Sequence, residues 1–391
     1  MSSVLTLNAG SSSIKFSVYA PGQDVPEMLA EGQIESLYSF AGLLTLRWRG
    51  EKTKTELGQA DHAEGVQAIL EAVSPVLDGA EVSAIGHRIV HGGTIYEAPV
   101  VLNDRVMKNL EQFQPLAPLH QPNNLAAVRA AIAAFPGAIQ VGCFDTAFHR
   151  GHPWVNDSFA LPRKYYDQGV RRYGFHGLSY DYISGALAEL DEHAGGRSVV
   201  CHLGNGASMC AIKGGKSVAS TMGFSALDGL PMGTRCGQLD PGVILYLMDQ
   251  EALSSKEITH ILYKESGLKG LSDLSNDMRT LEAAGTPEAA QAIEYFVFHV
   301  RRQLGALATV LGGVDTVVFT GGIGEHSSLV RAEVCKGMEW IGIAIDAAAN
   351  EAHAPVISTG AVTVRVIPTN EELVIARAAL AALNETAAAA E

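Results

Sequence analysis

Cysteine is scarce in this chain. The 391 residues include five (Cys143, Cys201, Cys210, Cys236 and Cys335), and none form a CxxC pair. Their scatter argues against a disulfide framework and fits reduced thiols. No apolar run of about 18 residues occurs, so no membrane span is expected. The Met-Ser-Ser start has neither a basic n-region nor an apolar h-region, so no secretory leader is expected and the reading is cytoplasmic. Charged residues make up 18 %, and the net charge is -14. That acidic balance gives no support to a nucleic-acid partner, which calls for a basic patch. Familiar catalytic spacings are missing too. His87/His91 and His149/His152 have no third ligand at HExxH spacing, and no GxSxG elbow occurs. GGKS (214–217) approaches a phosphate loop, but Cys210 stands where that loop needs its first glycine. With strand patterns on both sides it reads as a hairpin turn.

The length suits two domains, and 47 % hydrophobic residues can fill sizeable cores. VLTLNAGSSSIKFSVYA (4–20) reads as strand, Gly/Ser turn, strand. VVCHLGNGASMCAIKGGKSVAS (199–220) repeats that device and adds a third strand. Helices are expected at 64–77, 104–113, 123–135, 180–190, 286–311, 327–340 and 371–382, with strands at 83–90, 139–144, 316–320 and 362–367. Strands and helices alternate in both halves, which predicts an α/β protein of two similar domains. The Gly- and Pro-rich stretch 222–242 has no period of its own, as functional segments in compact enzymes often do not.

Three glycine turns follow apolar strands: NAGSSS, GNG (204–206) and GGIG (321–324). Unhindered backbone N–H groups at such turns can wrap phosphate, and the third opens a helix whose dipole favours an anion. Asn8, Ser11 and Ser13 could touch phosphate or hydrated Mg²⁺, and Lys15 could neutralise phosphate. Arg88 (GHRIVHGG) and Arg235 (GLPMGTRCGQLDPG) lie in Gly-flanked loops, where a guanidinium serves either a ligand anion or a structural ion pair. His176 sits in the turn YGFHG, as a catalyst or a core hydrogen-bonder. Asp145 ends a buried strand and Glu371 opens the last helix, positions where carboxylates hold metal or orient a nucleophile. The alternative for that helix start is a capping box of Thr369 and Glu372.

In this order LNAGSSSIKF (7–16), GHRIVHGG (86–93), FDTAFH (144–149), YGFHGLSY (173–180), HLGNGAS (202–208), MGTRCGQLDPG (232–242), LSNDMR (274–279), FTGGIGEHS (319–327) and IPTNEELVIAR (367–377) resemble the acetokinase family. That family lies in the superfamily of acetate and sugar kinases, heat-shock ATPases and actin. The resemblance implies two duplicated actin-like, ribonuclease H-like domains with a nucleotide cleft between them. They would comprise residues 1–144 with 372–391, and 145–371. It implies phosphoryl transfer between ATP and acetate with Mg²⁺, for which Mn²⁺ can substitute, in a homodimer. Asn8 and Glu371 would position the metal and Lys15 would meet phosphate. Arg88 would hold the acetate carboxylate, Asp145 would be the catalytic acid or base, and His176 and Arg235 would stabilise the transferring group. The segments His202, Leu203, Gly204, Asn205, Gly206; Asp277, Met278, Arg279; and Gly321, Gly322, Ile323, Gly324, Glu325 would hold the nucleotide.

The chain departs from the family pattern at LHQP (119–122, often LHNP), SALDG (225–229, often TPLEG) and GEH (324–326, often GEN). Val90, Leu119, Phe175 and Ala226 would line the acyl pocket, and Ala226 in place of proline leaves room for one more methylene, as in propionate. A chaperone-type or actin-like nucleotide switch is the competing class. It gives Arg88 no anion to hold.

Overall fold

The computed structural model describes residues 2–20, 26–118, 120–190 and 196–388. One sheet contains β1 (Ser2–Ala9), β2 (Ile14–Ala20), β3 (Glu27–Glu35), β4 (Gly42–Trp48), β5 (Glu51–Gly58), β6 (Glu81–Ile89), β7 (Val100–Val101) and β8 (Ile139–Phe144). Its order is β5-β4-β3-β2-β1-β6-β8-β7. The other contains β9 (Arg197–Leu203), β10 (Ala207–Lys213), β11 (Lys216–Ser220), β12 (Thr316–Thr320) and β13 (Thr363–Val366), ordered β11-β10-β9-β12-β13. Both repeat one pattern. β3, β2 and β1 pair antiparallel, then β6 and β8 continue in parallel. β11, β10 and β9 pair antiparallel, then β12 and β13 continue in parallel. This is the actin-like duplication. The first sheet extends it with β4, β5 and β7; these and β3 lie in stretches to which the sequence reading assigns no strand.

The chain forms two units, Met1–Arg150 with Asn370–Glu391, and Gly151–Thr369. Asp145 and Glu371, which the sequence reading gives to the second domain, therefore lie in the first unit.

The first core gathers Leu5, Leu7, Ile14 and Phe16 from the sheet under Val66, Ile69 and Val73. Those last three share one face of the helix His62–Leu77, which starts in a capping box of Asp61 and Glu64. The helix Glu371–Ala388 packs on β6, β1 and β8. Gly86 permits its approach, since a Cβ there would come 2.4 Å from Ile375 Cγ2. The cap of this helix is Asn370, whose Oδ1 accepts from the Leu373 N–H at 3.0 Å. The capping box expected from Thr369 and Glu372 gives way because the Thr369 hydroxyl turns to Ser179 Oγ, 2.8 Å away.

In the second unit every residue of β12 is buried, as its apolar run requires of a strand covered on both faces. Phe296, Val300 and Leu304 recur at helical spacing on the buried face of the helix Pro287–Leu311. GGKS forms the β10–β11 hairpin, with Gly214 and Gly215 at φ +56° and +75°. Between Ser220 and Pro241 no helix or strand forms. The helix expected over 327–340 ends at Cys335, where Lys336 adopts extended backbone. No described helix is long and apolar enough to cross a membrane.

Candidate active site

In the first unit, the parallel β6–β8 pair sets Arg88 opposite Cys143, and Asp145 follows where the Asp145 N–H bonds Ile89 O at 3.1 Å. Asp145 grips Arg88 in bidentate fashion, accepting from Nε at 2.9 Å and from Nη2 at 2.7 Å. Arg88 Nη1 donates to Asn8 Oδ1 at 3.1 Å, and Glu371 Oε2 lies 3.8 Å from Nε. Burial opposes the guanidinium charge, but Asp145 and Glu371 outweigh it and hold Arg88 protonated. Burial pushes the Glu371 carboxyl up. Arg88 pulls it down, and Asp145 and Glu372 add to the rise. Lys15, exposed, is the second residue of β2 and pairs with Asn8. Val90 is buried, and its N–H donates to Asn124 Oδ1. Leu119 lies outside the described residues. Gln121, the LHQP departure, is buried and donates to His91 O at 3.0 Å, tying its helix to the GHRIVHGG loop.

In the second unit, the GNG turn joins β9 to β10. Gly206 lets two side chains approach closely, since a Cβ there would come 2.7 Å from Arg235 Nη2 and 3.3 Å from His176 Nε2. Arg235 Nη1 donates to Ala226 O at 2.5 Å, so the SALDG loop aims the guanidinium. Arg172 anchors that loop through Asp228, 3.1 Å away. His176 adopts φ +57° and stacks on His202 with ring centroids 4.2 Å apart. Its Nδ1 lies 2.8 Å from Ser208 Oγ. Phe175 beside it is buried.

A cavity of about 370 Å³ opens in the same unit. Gly204, Asn205, Asp277, Met278, Arg279, Gly322 and Ile323, all expected at the nucleotide, line it. His202, Leu203, Gly206, Gly321, Gly324 and Glu325 do not. Gly321, at φ +76°, lies against the Leu203 backbone, where a Cβ would come 2.8 Å from Leu203 O. Glu325 turns inward, accepting from the Gly321 N–H at 2.8 Å and the Thr369 N–H at 3.3 Å. Asp277 caps its helix and is pushed down to about 2 by the hydrogen bond from Arg279. The sequence reading missed Asn276, Glu282 and Ser327 as lining residues. It noted His326 only as a departure from the family pattern. Asn276 and Glu282 flank the DMR segment, and that adjacency was the one available signal.

A model of the acetokinase family matches residues 3–377. The chain belongs to the acetokinase family. An acetate kinase of Methylocella silvestris is 56 % identical over 404 aligned positions, covering 99 % of both chains. Among solved structures, an acetate kinase of Porphyromonas gingivalis superposes with a TM-score of 0.89 at 39 % identity, over 98 % of this chain and 100 % of that one. A propionate kinase of Francisella tularensis gives 0.92 at 34 % identity, over 97 % and 99 %. Membership in the acetokinase family makes ATP or ADP the nucleotide substrate and a carboxylate the acceptor.

Proposed function

We propose that this chain transfers a phosphoryl group reversibly between ATP and acetate in one in-line step. An acetate oxygen forms a bond to the γ-phosphorus while the bond from that phosphorus to the β–γ bridging oxygen breaks. Acetyl phosphate and ADP are the products. Acetate is already ionised at neutral pH, so no proton leaves the nucleophile. Asp145 therefore acts by holding Arg88.

The observation that carries this reading is the engagement of Arg88. Three of its five N–H donors go to Asp145 and Asn8, which fixes the plane and leaves one N–H on each terminal nitrogen for a substrate carboxylate. His176 and Arg235, converging on Gly206, stabilise the transferring group, since phosphoryl transfer depends mainly on positioning and charge compensation. Lys15 meets phosphate, and the cavity beside Asn205, Asp277 and Gly322 takes the nucleotide. The inward-turned Glu325 keeps the Gly321–Gly324 turn in shape.

Asn8 and Glu371 offer hard oxygen donors at one guanidinium, a set that fits Mg²⁺, or Mn²⁺ in its place. When bound, the ion neutralises phosphate charge.

The acceptor range extends to propionate, which Ala226 and the likeness to a propionate kinase favour. The chain works as a cytoplasmic homodimer. In its support, no residue of the apolar helix Pro241–Asp249 is buried, with Leu245 59 % and Tyr246 54 % exposed. The test is ADP release with acetate, propionate, butyrate or no acid. Acetate-dependent release is expected, and hydrolysis indifferent to carboxylate would overturn the reading.

A further inference from the structure

We propose that Ser208, backed by Tyr180, is a positioning residue that fixes His176 as the neutral tautomer with its proton on Nε2. The inference rests on the role given to His176 above. The β9–β10 register sets Ser208 opposite His202, and the His176 ring stacks on His202. Ser208 and Tyr180 are fully buried, and the Ser208 Oγ meets both His176 Nδ1 and the Tyr180 hydroxyl, at 2.8 and 2.5 Å. A hydroxyl has one proton to give. With Tyr180 donating to Ser208, the Ser208 proton goes to Nδ1, and Nδ1 accepts.

The ring proton then sits on Nε2, the atom that shares the Gly206 clearing with Arg235 Nη2. The direction matters because the substrate there is an anion. Nε2–H stabilises it, whereas a bare Nε2 lone pair would repel it. Among the described residues, the titratable and charged groups shown against the ring include His202 from β9, Arg235 from the loop before the helix Pro241–Asp249, and Tyr180 from the helix Gly177–Leu190. None favours an imidazolium: Arg235 repels a second cation, and His176 precedes the positive end of its helix. At φ +57° a non-glycine backbone is strained, so the surroundings hold this residue in place.

Kinetics of Ser208→Ala, Ser208→Thr and Tyr180→Phe across the acid limb test the relay, with thermal melts alongside. In Ser208→Ala, kcat falls at least about tenfold while both KM values stay within about twofold, as expected when a histidine loses its orienting partner. The acid limb of kcat moves to higher pH, because the Ser208 hydroxyl no longer donates to Nδ1 to favour the neutral ring. Ser208→Thr restores most of kcat, and Tyr180→Phe moves the limb the same way by less. An unchanged kcat, an unmoved limb or a limb displaced downward in Ser208→Ala overturns the proposal. If Ser208→Ala does not fold, Tyr180→Phe carries the same test. The ¹⁵N shifts of His176 report the tautomer whether or not the chain turns over. An Nδ1–H tautomer defeats the relay, while a wild type without carboxylate-dependent turnover defeats only the proposed function.

Discussion

The two units build one strand order and place opposite chemistry on it. In the first, the ends of β1, β6 and β8 bring together Asn8, Arg88 and Asp145, with Glu371 beside them: a guanidinium among carboxylates, tightly paired. In the second, β9 and β10 bring together His202, Gly206 and Ser208, with His176 and Arg235 packed against them. The first cluster maintains itself through ion pairs. The second depends on glycines, a backbone carbonyl and a hydroxyl. Removing a residue therefore has different consequences in the two places.

Arg88→Ala should give the largest effect and Arg235→Ala its counterpart. Loss of Arg88 leaves Asp145, 2 % exposed, as a buried uncompensated carboxylate, which costs about 3–5 kcal/mol of stability. Turnover falls at least about a hundredfold as well. Arg235→Ala should lose turnover to a similar degree with a smaller change in melting, because the Ala226 carbonyl it releases is a neutral group. Chemical denaturation alongside acetate-dependent ADP release separates the two. Equal melting of both variants would erase the contrast.

Acid should separate the units next. His87 in β6 is buried against the neutral Gln140, and burial lowers its pKa from 6.5 to about 4. Its folded pKa lies below the unfolded one, so its stabilising contribution is complete above about pH 6.5 and is lost as pH falls toward 4. Near pH 5 the loss amounts to about 2 kcal/mol. Melting followed against pH should show this decline in the wild type and a shallower one in His87→Gln. Parallel curves would remove His87 from the account.

Acyl selectivity should give the smallest effect. One methylene is worth about 1–3 kcal/mol in a pocket. The propionate specificity constant should therefore stay above about a hundredth of the acetate value, and Ala226→Pro should lower it. Measuring both constants in both proteins decides the matter.

Much of this architecture was legible in the chain. β8 and β12 match the sequence reading at both ends, because short β-branched and aromatic stretches bounded by turn signals leave a buried strand little choice. The GGKS hairpin was legible because two left-handed residues in succession suit glycine. β5, EKTKTELG, offered no apolar face to read. It is a charged, exposed edge strand, and its identity comes from pairing with β4. Thr369 and Asn370 are both good caps by type. Only the nearness of Ser179, 190 positions away, decided between them.

By itself the sequence determined the alternation of strands and helices, the glycine turns and the family, because those depend on local patterns and their order. It also named Arg88, His176 and Arg235, whose residue types advertise their chemistry. The tertiary structure alone decided that Arg88 closes on Asp145, 57 positions away, through the β6–β8 register. It alone turned Glu325 inward and set Ser208 under a histidine 32 positions away. A serine at the start of β10, within HLGNGAS, does not by its type show which side chain it holds. Its role exists only when the hairpin and the helix start bring one hydroxyl within hydrogen-bond reach of an imidazole nitrogen.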